Sequence, residues 1–411
     1  KKSRRNLMSL SFAENLQNAL EEFQTGTQRF EEINHHLAKN LAWQKEAYEH
    51  LKNLLIHMVK IGASDINLGG PRTNDKVWYR VYGNLEPSQE VPTYTNDEVA
   101  AIALSILSDQ QKTILFNERN IDFAFAFSTD QSQKPYRFRG DIYYERNNLA
   151  INFRHIAEKI FPIESLEIPE PIIKRLDLQH EKSGLFLVTG VTGSGKSTTL
   201  DSITDMNNHN NKAHIVIIGK PIEYVHKSDK SLITHREVGD DVLSFRNGII
   251  EALRQDPNII IVGEMRDPAT ISAVLEATDS GHKIFSTLHT SSTVESIHRI
   301  IAEFPPDEQE RIRFRLADTL KVVISQKLVP NKEGKRTLAK EILSVDYSVQ
   351  AAIRNNNITE IFQMITEGKN KGMFTLQQDL YRLVRNGTIT AETALNYCNN
   401  KKIMQQLLGY S

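Results

Sequence analysis

The chain has one cysteine, Cys398, among 411 residues. That leaves no internal disulfide and no Cys-based structural zinc cluster, a usage that fits a reducing cytoplasm. It also lacks a bias of charge: 50 lysines and arginines stand against 51 acidic residues, so no overall field argues for nucleic acid or an anionic membrane. Any such contact has to be local. No apolar run approaches the length that crosses a bilayer, and the basic start Lys1-Lys2-Ser3-Arg4-Arg5 has no signal-like apolar core behind it. Membrane contact is expected only through partners. No short repeat or low-complexity tract interrupts the chain, which is long enough for two or three domains, each with its own core.

Apolar spacing organises what is present. Leu16, Leu20 and Phe23, then Phe30, Ile33 and Leu37, recur at helical intervals, so 1–50 reads as a helical extension, either a packed hairpin or a partner-binding element. Residues 51–157 mix a helix at 51–61, a strand at 63–68, an alternating strand at 77–83, a helix at 97–107 and strands at 121–127, 136–144 and 149–156. That is a small α+β domain. Pro162, Pro169 and Pro171 mark 158–171 as a linker. Within 172–345 the runs 185–189, 215–218, 259–262 and 284–288 are apolar without alternation, as in strands of a parallel sheet covered on both faces. An α/β domain is expected there, followed by a helical region over 346–411.

Directly behind the first of those runs stands Gly190-Val191-Thr192-Gly193-Ser194-Gly195-Lys196-Ser197, a complete G-x-x-x-x-G-K-[ST] phosphate loop, with Thr198 next. Backbone N–H groups of the turn and of the following helix can surround a polyphosphate, Lys196 can reach its terminal phosphates, and the Ser197 hydroxyl can ligate Mg²⁺. Side chains in place of the glycines would block that approach.

Hydrolysis further requires a residue that aligns water and groups that compensate charge. Glu264 ends the run at 259–263, where a sheet strand delivers a carboxylate beside the loop, and joins Ser197 as a candidate for the metal-water shell. Glu223 follows the strand at 215–218 and Pro221, and is the first choice for water activation. Asp267 before Pro268 reads as a helix N-cap. His282 and His289 bracket the run at 284–288; placed on opposite faces, they cannot share one metal, and His289 suits a phosphate sensor. Arg139, Arg146 and Arg154, with Arg236, Arg254 and Arg299, are candidates to stabilise charge on the transferred phosphoryl group.

Together these motifs resemble the hexameric secretion-superfamily ATPases, and within them the type IV pilus retraction ATPases of the PilT family. The likeness spans about 51–386. It rests on Ala63-Ser64-Asp65-Ile66-Asn67-Leu68, the phosphate loop, Pro221-Ile222-Glu223-Tyr224-Val225-His226, Arg236-Glu237-Val238-Gly239 and Ala252-Leu253-Arg254-Gln255-Asp256-Pro257. Val262-Gly263-Glu264-Met265-Arg266-Asp267 and Gly281-His282 through Thr287-Leu288-His289-Thr290 complete the set. The resemblance implies a homohexamer whose subunits each join a PAS-like α+β domain to a RecA-like ATPase domain, with ATP and Mg²⁺ as cofactors. It implies a catalytic role for Glu223, a Walker B role for Glu264, a histidine box at His282 and His289, and first-domain arginines that reach the nucleotide. It also implies a cytoplasmic motor held at the inner membrane through a pilus or secretion platform protein, with no direct nucleic-acid contact.

The absence of a four-cysteine zinc element and the segment Ala352-Ile353-Arg354-Asn355 favour retraction over extension, although Asn356-Asn357-Ile358 departs from the usual Leu-Ile-Arg continuation. Two alternatives stand beside this reading: a type II or IV secretion export ATPase, and an ATP-binding assembly or regulatory module with weak hydrolysis. The second is motivated by Gly219-Lys220, where the family's acidic box usually has Glu-Asp. The exchange changes local charge by about three units near metal and phosphate, so turnover is expected to survive but to be slowed. Lys220→Asp is therefore expected to raise steady-state ATP turnover; unchanged or lower turnover removes the idea.

Overall fold

The computed structural model describes residues 10–20, 25–81, 83–129, 135–156 and 160–410. The basic start at 1–5, Phe23, Tyr82 and the junction expected between 157 and 158 lie outside them. The chain divides into two compact units, Lys1–Ala157 and Glu158–Ser411.

Alternating residues build the sheet of the first unit. Its strands are β1 (Ala63–Gly69), β2 (Trp78–Val81), β3 (Asn84–Pro87), β4 (Asn120–Phe127), β5 (Tyr136–Glu145) and β6 (Asn148–His155), in the order β3-β2-β1-β6-β5-β4. Every pairing is antiparallel. Ile121, Phe123 and Phe127 of β4 point inward to join Phe138 and Phe153. A Cβ on Gly140 would stand 2.6 Å from the Phe153 ring, so the aromatic packing itself requires glycine there. Arg146 and Asn147 turn β5 into β6 with φ of 50° and 62°, as a tight hairpin demands.

Helices Thr27–Lys39, Leu41–Lys60 and Asn96–Ile106 complete this unit. Leu16, Phe30, Ile33 and Leu37, the apolar stripe read from the sequence, are buried in one core with Leu51, Leu55 and Ile102. Polar contacts fix the same docking: the Leu10 N–H donates to the Glu98 carboxylate at 3.0 Å, and Arg29 pairs with Asp97 at 2.7 Å. The described residues of this stretch therefore pack into the core of the first unit.

In the second unit the uninterrupted apolar runs become strands covered on both faces. The strands are β7 (Gly184–Thr189), β8 (His214–Gly219), β9 (Leu232–Glu237), β10 (Ile259–Val262), β11 (Lys283–Leu288), β12 (Leu320–Pro330) and β13 (Arg336–Ser344). Their order is β13-β12-β7-β11-β10-β8-β9, parallel from β12 to β9, with β13 antiparallel at the edge. The four runs recognised in the sequence are the four adjacent strands β7, β11, β10 and β8. One face is covered by helices including Pro268–Asp279 and Thr293–Ala302; on the other face, Ile163, Leu166 and Ile168, from the proline-marked stretch, are buried with Phe186 and Ile203. Beyond β13 the chain is helical, and Leu376–Arg385 seats Leu380 and Leu383 against Val329 and Ala339.

Because Ile33 is fully buried, Ile33→Ala is expected to lower unfolding free energy by about 2–5 kcal/mol, read by chemical denaturation. A change below about 0.5 kcal/mol, the range of a surface site, would show the first helices to be detachable.

Candidate functional site

β7 ends at Thr189, and the glycine-rich loop carries the chain into helix Lys196–Asn210. Gly193 and Gly195 have φ of 77° and 89°. Gly195 is the N-cap, and no side chain closes the helix start, so its first N–H groups remain directed at the loop.

Gln326 on β12 sets the shape of the loop. Its Nε2 donates to the Ser194 carbonyl at 2.9 Å, and its Oε1 accepts from the Thr199 hydroxyl at 3.0 Å. Its backbone carbonyl presses on the same turn: a Cβ at Gly190 would lie 2.5 Å from that oxygen. The Lys196 amine donates to the carbonyls of Gly190 at 2.9 Å and Val191 at 3.2 Å. The buried Ser194 Oγ has no partner among the described residues.

Charges gather around Lys196. Burial pushes its pKa below the ordinary lysine value, while Glu223 and Glu264 favour the charged amine and Arg266 opposes it. Both carboxylates chosen from the sequence therefore act on the loop lysine. Glu223 is exposed on the 221–226 loop, which is tied at two places: the Ile222 N–H donates to Glu237 at 3.2 Å, and the buried His226 meets Asp201 at 3.1 Å. Lys220 is exposed just ahead of it. Glu264 follows β10, where the Thr287 hydroxyl donates to the Gly263 carbonyl at 2.7 Å and the Met265 N–H to the Thr287 carbonyl at 3.3 Å.

A cavity of about 270 Å³ adjoins the loop, with Thr192, Glu264, Arg266, His289, Arg299 and Glu303 in its walls. Arg266 pairs with Glu264 at 2.7 Å, and His289 Nε2 stands 3.9 Å from the same carboxylate. The His289 pKa is lowered from its ordinary value by burial first, then by Lys196, Arg266 and Arg299. The ring is neutral at neutral pH.

The other candidates have contacts of their own. His282 precedes β11 at the opposite edge of the sheet, where its Nδ1 meets the Ala277 carbonyl at 3.1 Å. β11 has six residues, which at strand rise separates His282 from His289 by roughly 20 Å. The two histidines are thus parted along the strand and share no site. Arg254 is exposed in the turn Leu253–Gln255 ahead of β10, and Arg236 pairs with Glu251 at 2.7 Å. In the first unit Arg139 donates to Asp122 at 2.9 Å, Arg154 pairs with Asp65 at 2.8 Å, and Arg146 occupies the β5–β6 turn. Asp267 is the N-cap expected of it, accepting from the Thr270 N–H at 2.9 Å.

Sequence reasoning missed Gln326, Glu237 and Arg266 as parts of this site. Arg266 had a signal, two residues beyond Glu264. Gln326 had none, because only the pairing of β12 with β7, with Ser325 opposite Thr189, brings it to the loop.

Known proteins resemble this chain over most of its length. The profile of the family described as "Type II/IV secretion system protein" matches residues 44–369. A "Twitching motility protein" of Neisseria gonorrhoeae is 38% identical over 326 residues, 79% of this chain and 85% of that protein. A "Type IV pilus retractation ATPase PilT" of Pseudomonas aeruginosa is 36% identical over 344 residues, 84% of this chain and 96% of its own. The crystal structure of a pilus retraction motor PilT with bound ADP superposes with a TM-score of 0.75 at 35% identity, covering 86% of this chain and 98% of that one.

Gln326→Ala removes both side-chain bonds that brace the loop, each worth about 1 kcal/mol. It is expected to weaken ADP binding about tenfold in an equilibrium titration; unchanged affinity would show that the loop holds its shape without the amide.

Proposed function

We propose a function from one premise: this chain belongs to the type II/IV secretion system protein family. It is a RecA-like P-loop ATPase that hydrolyses ATP with Mg²⁺ and works as a hexameric motor of type IV pilus retraction. The observation that carries the chemistry is the convergence of Glu223 and Glu264 on the loop lysine.

Gly190 to Gly195 and the helix start receive the phosphates through backbone N–H groups. On arrival of that anion, Lys196 exchanges its two loop carbonyls for phosphate oxygens, which offer it charge as well as acceptors. The donor set suits Mg²⁺. A serine hydroxyl at Ser197 and a carboxylate at Glu264 match a hard cation that takes its remaining ligands from water and phosphate. Among the described residues no cluster of His, Cys, Asp and Glu forms a ready-made metal cage. When bound, the ion neutralises charge on the phosphates.

Glu223 orients the attacking water and takes its proton. The ties of its loop to Glu237 and Asp201 hold that carboxylate in place before substrate arrives. Neutral His289 beside Glu264 can donate one hydrogen bond and accept another, which suits it to report whether a terminal phosphate is present. No helix among the described residues is long and apolar enough to cross a membrane. In the proposed reading the motor is cytoplasmic and its platform protein supplies the membrane contact.

Glu223→Ala is expected to keep ATP binding while turnover falls about a hundredfold or more, the scale of a lost general base. Binding and turnover are measured on the same preparation together with oligomer mass. Loss of binding would assign Glu223 to folding, and turnover by a stable monomer would remove the ring.

A further inference from the structure

The cavity beside the phosphate loop has features that nucleotide binding leaves unused. Its volume is about 270 Å³, and a water's share of liquid is about 30 Å³. A small hydrated ion fits in that space. Two ion pairs stand in its walls, Arg266 with Glu264 at 2.7 Å and Arg299 with Glu303 at 2.9 Å. The arginine side chains are 66% and 60% exposed, and pairs so open to water are held weakly. Thr192, from the phosphate loop, belongs to the same wall, so the cavity adjoins that loop.

Arg266 and Arg299 both line this cavity. An anion there gives both guanidiniums an acceptor for charge-assisted hydrogen bonds in place of the carboxylates they hold.

Resting on the reading of this chain as an ATPase, we infer that the cavity takes up the inorganic phosphate split from ATP: Arg266 and Arg299 leave Glu264 and Glu303 to hold it while ADP occupies the loop. The bond from the terminal phosphorus to the bridging oxygen is already broken at this stage, so the step is transfer of an ion between two neighbouring seats. Glu264 loses its arginine only while product phosphate is held. Departure of phosphate restores the pair.

The test is titration of inorganic phosphate into the ADP-loaded full chain by calorimetry. Wild type is expected to bind phosphate. R299Q is expected to bind it about tenfold more weakly, the scale of one charge-assisted pair, and R266Q with R299Q more weakly still, while R299K retains most of the affinity. ADP affinity of each variant reports an intact loop. Equal phosphate affinity in wild type and R299Q overturns the inference, as does an ADP-loaded wild type that takes up no phosphate. Failure of wild type to bind ADP instead overturns the ATPase reading beneath it.

Discussion

One buried amide holds the phosphate loop open. Gln326 touches it three ways: Nε2 on the Ser194 carbonyl, Oε1 on the Thr199 hydroxyl, and its own carbonyl against Gly190. A glycine-rich turn left to itself samples many conformations and loses that freedom on binding. Bonds to a neighbouring strand remove the freedom in advance, so N–H groups face the phosphates before these arrive. The brace exists because β12 runs parallel to β7 with Ser325 opposite Thr189, which sets Gln326 beside the turn. The site thus depends on sheet register more than on the local motif.

The same sheet edge supplies the opposing charges. In a parallel sheet every strand ends its carboxyl terminus on one side, so residues following β8, β10 and β11 reach the loop after β7 although they are far apart in the chain. Lysine there is pulled two ways, with burial disfavouring its charge and two carboxylates favouring it. Phosphate resolves the conflict by bringing negative charge directly to the amine. Glu264 faces the complementary problem and meets it with Arg266. Before nucleotide arrives, the lysine, the carboxylates and the arginines compensate one another, and each is available to exchange its partner.

Much of this was legible in the sequence for physical reasons. Strands buried on both faces must be apolar throughout, and that fixed β7, β8, β10 and β11; the loop motif and the carboxylates at strand ends followed from them. β9, β12 and β13 escaped notice because His235, Arg236 and Glu237 in the first, Lys321, Ser325, Gln326 and Lys327 in the second, and Lys340 and Glu341 in the third break the apolar run. Buried polar residues carry no periodic signal at all. Lys283 at the start of β11 is fully buried, its amine donating to the carbonyls of Arg175 at 2.7 Å and Glu181 at 2.8 Å, and burial pushes its pKa down to about 7. Glu341 receives the Thr293 N–H at 2.9 Å and the Leu376 N–H at 3.4 Å, joining the starts of two helices. Such groups are tolerated only where folded partners satisfy them, and those partners are distant in sequence.

The substitution Gly219-Lys220 separates physically into two parts. Gly219 lies in a close approach of strand ends: a Cβ there would stand 2.9 Å from Ile222 Cδ1, and one on Gly263 would stand 3.4 Å from Gly219 Cα. A longer side chain at 219 must shift the tip of the Ile222 side chain, one residue before Glu223. The Ile222 backbone is held separately, its N–H bound to Glu237 at 3.2 Å. Lys220 is exposed and meets no such constraint; its influence is electrostatic, falling with distance and with salt. Restoring an acid at 220 alone changes the field while leaving Glu223 where it is. An acid at 219 must first shift the Ile222 side chain, so the two positions act on the surroundings of Glu223 by different physical routes, one through packing and the other through the field.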